Sequence, residues 1–152
     1  AGISSQLIAK VGTRPLIVVG AAVTAAGVFL LSRIPVAGSF VSALLPGMLV
    51  LSFGIGAVFV AVATAANAGV PSEQAGLAAA LLNSAQQIGG VLGLAVLTAI
   101  GTARTNDVLA TRAAMPDALT EGFQRSLLVG SIFLLAAAVI GLRVTNTHEV
   151  EA

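Results

Sequence analysis

The chain has 152 residues, of which 57% are hydrophobic and 9% charged, where a soluble domain carries about 25% charged residues; its mean hydropathy is +1.04. Seven Lys/Arg and six Asp/Glu, with a net charge of +1, cannot coat a globule in water and supply no basic face for a nucleic-acid partner. There is no Cys, and the one histidine, His148, stands in a polar tail, which excludes disulfides and thiolate metal sites and gives no reason to expect a cofactor.

The first ten residues have neither an initiating Met nor a basic stretch ahead of an apolar core, so they do not read as a signal peptide. Residues 1–14 read as the end of a preceding helix and a basic turn. Uncharged runs then cover 15–32, 34–72, 74–103 and 126–142. About 20 apolar residues cross a hydrocarbon core of roughly 30 Å. The first and last runs each fit one crossing. In the second run, Pro35, Gly38 and Ser39 mark a turn at its start and Asn67 to Pro71 another at its end, which leaves a single span with Pro46 in its first turn, where a missing donor costs little. The third run is bracketed by Glu73 and Arg104, about 46 Å apart along a helix, enough for core and headgroups together.

The predicted elements are transmembrane helices at 15–33, 43–68, 74–103 and 124–143, with a loop at 104–123 and a tail at 144–152. The fold class is therefore all-α integral membrane, because unpaired backbone groups cannot face hydrocarbon. An even number of spans puts both ends on one side. The basic residues divide three against four between the two sides, which does not decide orientation.

No ionisable residue falls deep inside a predicted span. Since such a residue is the usual marker of a proton relay or ion path, energy coupling is not expected within this stretch. Nor is an enzyme, because a nucleophile needs a base within reach. In the third span the 100° helical step groups Gly76, Ala79, Ala80, Asn83, Gln86, Gln87, Gly90 and Leu94 on one stripe, with Leu77, Leu81, Ile88 and Leu92 opposite. Asn83, Gln86 and Gln87 lie near the midplane and have two readings. One is interhelical hydrogen bonding; the other is a substrate-facing cavity surface. Gly89, Gly90 and Gly93 follow as helix-packing candidates. Asn67 reads as a helix end more readily than as a cavity residue, and the charges between 104 and 125 read as a solvated cover.

Two segments resemble a known family. Leu7 to Pro15, with Lys10, Gly12 and Arg14, is similar to the basic, glycine-containing cytoplasmic loop of major facilitator superfamily transporters, with Ala9 near the place of an acid. Residues 70–95 resemble the penultimate-helix region of the fourteen-span drug:proton antiporters of that superfamily. Pro71, Glu73, Ala75, Gly76, Leu77, Asn83 and Gln87, then Gly89 or Gly90 and Gly93, match, while Gln86 stands where relatives often carry Arg. The resemblance implies the last four helices of such a transporter. Its partners would be the lipid bilayer, the N-terminal helices of the same protein, a small-molecule substrate and protons. It places the Lys10/Arg14 loop, the Glu73 turn and the tail on the cytoplasmic side and makes 104–123 an external loop. A self-contained four-helix membrane scaffold is the alternative.

Overall fold

The computed structural model describes residues 12–35 and 44–143; Lys10, the rest of 1–11 and the 144–152 tail lie outside the described residues. Four helices follow in order: α1 at Thr13–Leu31, α2 at Leu45–Asn67, α3 at Ala75–Ala110 and α4 at Met115–Gly141, with a 3₁₀ turn at Ser72–Gln74 leading into α3. No strand occurs among the described residues. All four helices are long and apolar enough to cross a bilayer, as a multi-pass integral membrane protein requires.

Local chemistry sets the helix ends. Gly12 caps α1 at φ 88°, a left-handed backbone that glycine adopts without a Cβ penalty. Pro15 sits in the first turn, whose N–H groups have no intrahelical acceptor. At the other end the Ser32 Oγ donates to the Phe29 carbonyl at 2.7 Å, and Pro35 then disfavours helical backbone at Ile34. Pro46 stands in the first turn of α2. At the end of α2 the Asn67 Nδ2 donates to the Ala63 carbonyl at 2.8 Å, and Gly69 at φ 75° turns the chain away. Arg112, at φ 64°, takes the left-handed position just past α3, and Pro116 opens α4.

The stretch at 104–123, expected as a loop, is mostly helix. Helix α3 runs on to Ala110 and α4 starts at Met115, so only 111–114 form the connection. Charge alone suggested a loop, but charged residues such as Arg and Glu are good helix formers once outside the hydrocarbon. The two extensions also hold each other: Arg104 pairs with Glu121 across them. Helix α3 thus has 36 residues, about 54 Å of rise.

Packing runs in the order α2, α1, α4, α3, with a weak contact closing the ring between α3 and α2. The α1–α2 pair is the most extensive, and it brings backbone against backbone. A Cβ on Gly27 would lie 2.5 Å from the Leu51 nitrogen, and one on Gly54 would lie 2.5 Å from the Thr24 nitrogen. Between α3 and α4, Gly101 and Gly122 play the same part against Ser126 and Thr105. Two polar bonds tie elements together here: the Ser126 Oγ donates to the Leu97 carbonyl and the Gln124 Nε2 to the Ile34 carbonyl, both at 2.7 Å. Other hydroxyls bond back within their own helix, including Thr24 to Gly20, Ser52 to Met48 and Thr120 to Pro116. None of these needs a partner helix.

The glycine contact predicts a contrast within α2. Gly54→Ala destabilises the protein by about 1–3 kcal/mol through overpacking. Gly56, two residues on, has nothing within 4 Å of a Cβ, so Gly56→Ala is neutral or stabilising by up to about 1 kcal/mol. Detergent-driven unfolding in mixed micelles, followed by circular dichroism, reads both.

Candidate functional site: an apolar cavity with one amide

The four helices leave an open-sided cavity of about 670 Å³, and several of its lining residues, Ile55, Phe59, Gln86 and Ile140 among them, are exposed. Helix α1 contributes Ile17, Ala21 and Thr24; α2 contributes Ile55, Phe59 and Val62 among others; α4 contributes Leu134, Ala137 and Ile140. The one lining residue from α3 is Gln86. Each wall has the local pattern that builds it. On α1, Ile17, Ala21 and Thr24 recur at i, i+4 and i+7, and on α4 Leu134, Ala137 and Gly141 do the same at i, i+3 and i+7. The small residues leave space where bulky ones would close the ring.

The chemistry of this wall is simple. Thr24 is buried and its hydroxyl is occupied by the Gly20 carbonyl at 2.7 Å. The Gln86 amide has no hydrogen-bond partner among the described residues, so it is the polar group the cavity can offer. An amide both donates and accepts. A cavity of apolar walls with few polar groups binds a molecule by burying its apolar surface and orients it through those few contacts. No group of acidic residues or histidines suited to a metal ion occurs among the described residues.

The other sequence candidates fall elsewhere. Asn83 and Gln87 are exposed on α3, as Gln86 is, but do not line this cavity. Along 75–96 nearly every residue of α3 is exposed, on the small, polar stripe and on the Leu77, Leu81, Ile88 and Leu92 face alike. Gly89, Gly90 and Gly93 have nothing within 4 Å of a Cβ. Among the described residues close helix packing is carried by Gly27, Gly54, Gly101 and Gly122. Of the loop motif, Gly12 and Arg14 open α1, with Arg14 exposed. The cavity residues Thr24, Phe59 and Ala137 carried no signal in the sequence, since each is ordinary for a membrane helix. The threonine at seven residues from Ile17 is the nearest thing to one.

Comparison with known proteins places this geometry in a family context. Residues 1–94 match the profile of the Major Facilitator Superfamily. The puromycin resistance protein of Streptomyces alboniger is 33% identical over 140 residues, covering 91% of this chain and 28% of that protein. The cephamycin export protein of Amycolatopsis lactamdurans is 30% identical, covering 88% of this chain and 26% of its own length. A triacylglyceride transporter of Mycolicibacterium hassiacum is 31% identical, covering 94% and 28%. The chain spans less than a third of each of these relatives. No solved structure matches it.

The depth of the site is measurable, because the chain has no native Cys. Eighteen residues separate Gln86 from Arg104, a rise of about 27 Å. A nitroxide on Gln86→Cys in a bilayer is expected to favour oxygen over a water-soluble relaxant. The same label on Arg104→Cys is expected to show the reverse, at interfacial depth.

Proposed function

The chain belongs to the major facilitator superfamily, and from that premise we propose that it forms the last four spans of a secondary transporter that exports drug-like or amphipathic compounds in exchange for protons. The observation that carries the proposal is the Gln86 amide on the wall of an otherwise apolar cavity bounded by all four helices. Such a surface takes up a molecule that is mostly apolar with a hydrogen-bonding group. The names of the relatives support the same class of cargo: resistance to puromycin, export of cephamycin and transport of triacylglycerides.

In this proposal the protein works by alternating access, two helix bundles rocking about a midplane cavity. The helices of this chain supply cavity wall, and the acids that couple to protons lie in the preceding helices. The Lys10/Arg14 loop, the Glu73 turn and the tail face the cytoplasm, and the 111–114 turn faces outward. The small, polar stripe of α3 with Asn83 and Gln87 then meets helices that precede this chain, with Gly89, Gly90 and Gly93 as their close-packing positions. A self-contained four-helix scaffold would bury the polar stripe of α3 against its own helices; the exposure of Asn83, Gln86 and Gln87 weighs against it.

The test uses the full-length gene in a host lacking its own drug exporters. Gln86→Leu keeps the volume and removes the hydrogen bond, and lowers resistance to an exported compound by roughly two- to tenfold, the equivalent of one net hydrogen bond, at unchanged membrane expression. Asn83→Ala and Gln87→Ala shift resistance less. Unchanged resistance in Gln86→Leu would leave the amide as a packing residue and remove the cavity's claim to the substrate.

A further inference from the structure

A second concavity lies at the end of the bundle where α1 finishes, α3 projects and α4 begins. Its volume is about 720 Å³, and its walls carry both charge and apolar surface. Helix α3 presents Ile100, Ala103, Arg104 and Asp107 to it, and α4 presents Glu121, Gln124, Arg125 and Leu128. Both sets follow the i, i+3, i+4, i+7 spacing of one helical face. Arg33, just past the end of α1, completes the rim.

The charges in this groove do not cancel. Arg104 is paired with Glu121, which leaves Arg33 and Arg125 against Asp107. The guanidinium of Arg33 lies 5.0 Å from the centroid of the Phe29 ring, a cation–π contact that orients it without neutralising it. Among the described residues neither Arg33 nor Arg125 has a carboxylate partner. The groove is held in shape, because the Gln124 side chain bonds the Ile34 carbonyl and ties the exit of α1 to α4.

Its depth is equally specific. Arg33 directly follows the uncharged run 15–32, Arg104 directly follows 74–103, and Arg125 directly precedes 126–142. All three guanidiniums therefore stand at the same membrane–water boundary, with Ile100 and Leu128 one turn deeper. Phe29 and Leu30, exposed beside the rim, continue that apolar surface into the hydrocarbon. An arginine fork matches the oxygens of a phosphate in bidentate fashion, and the anion found at this depth beside apolar chains is the lipid phosphodiester.

We propose that the groove bounded by Arg33, Arg104, Asp107, Glu121 and Arg125 binds the headgroup phosphate of an anionic phospholipid. The phosphate accepts hydrogen bonds from Arg33 and Arg125, and the acyl chains descend past Ile100 and Leu128. The site is separate from the central cavity, so it stands or falls independently of the transport proposal.

Native mass spectrometry of the full-length protein, delipidated and titrated with phosphatidylglycerol, tests it. Arg33→Gln/Arg125→Gln lowers lipid retention roughly tenfold, and either single substitution by roughly threefold, as expected for lost charge-assisted hydrogen bonds. Both side chains are exposed, and an unchanged circular dichroism spectrum verifies that the fold persists; if the double variant fails that control, the single variants carry the test. Arg112→Gln/Arg143→Gln removes the same charge outside the groove and leaves retention unchanged. Equal retention in wild type and groove variants would overturn the proposal, as would an equal loss in the control pair, which would mean diffuse attraction. Displacement of the lipid by millimolar inorganic phosphate would identify a free-phosphate site and overturn the lipid assignment.

Discussion

The contact between α1 and α2 holds the rest in place. At Gly27 and Gly54 the two backbones approach until no Cβ fits between them, and in hydrocarbon such close approach replaces the hydrophobic effect as the source of helix affinity. Leu16 and Ile17 of α1 and Ala61 of α2 form a small core from the same interface. Helix α1 then carries α4 on its other side, and α4 carries α3. Were α1 and α2 held farther apart by a side chain, the wall of the central cavity would open, since both helices line it.

The distribution of charge follows from the same solvent. An ionised side chain in the bilayer centre is costly, so the described ionisable residues gather at helix ends. The result is two unlike polar environments on one small bundle. Between the helices the Gln86 amide stands among apolar walls; at the end of the bundle there is a groove of guanidiniums and carboxylates.

Much of the fold could be read from residue types. Uncharged runs of suitable length, broken by Pro35, Asn67 and Pro71, mark four helices, because the requirement for internal backbone pairing leaves few other solutions. The extension of α3 past Arg104 could not be read in this way. Hydropathy reports solvent, and a helix leaving the membrane looks the same as a loop until its partner is known; that partner is Glu121, seventeen residues away. The amide stripe of α3 was legible as a face, but which amide meets the cavity depends on where α1, α2 and α4 stand. Glycine spacing shows a related limit. Gly89 and Gly93 have the regular four-residue spacing, whereas Gly27 and Gly54 stand among small residues that imply tight packing but, belonging to different helices, name no partner until the helices are brought together.

The hydroxyls of Thr24 and Ser52 close on carbonyls of their own helices. Between α1 and α2 the surfaces that meet are therefore finished surfaces, with their polar valences used up internally. Displacing one such helix along the other would leave no stranded donor in the lipid, but it would drive Cβ atoms into the close approaches at Gly27 and Gly54. The α3–α4 junction is different, since the Ser126 bond to Leu97 and the Arg104–Glu121 pair cross it. The bundle accordingly contains one interface keyed by shape and one keyed by polar bonds as well: the first resists sliding because it has no room for a Cβ at Gly27 or Gly54, the second because sliding would strand a donor in the lipid.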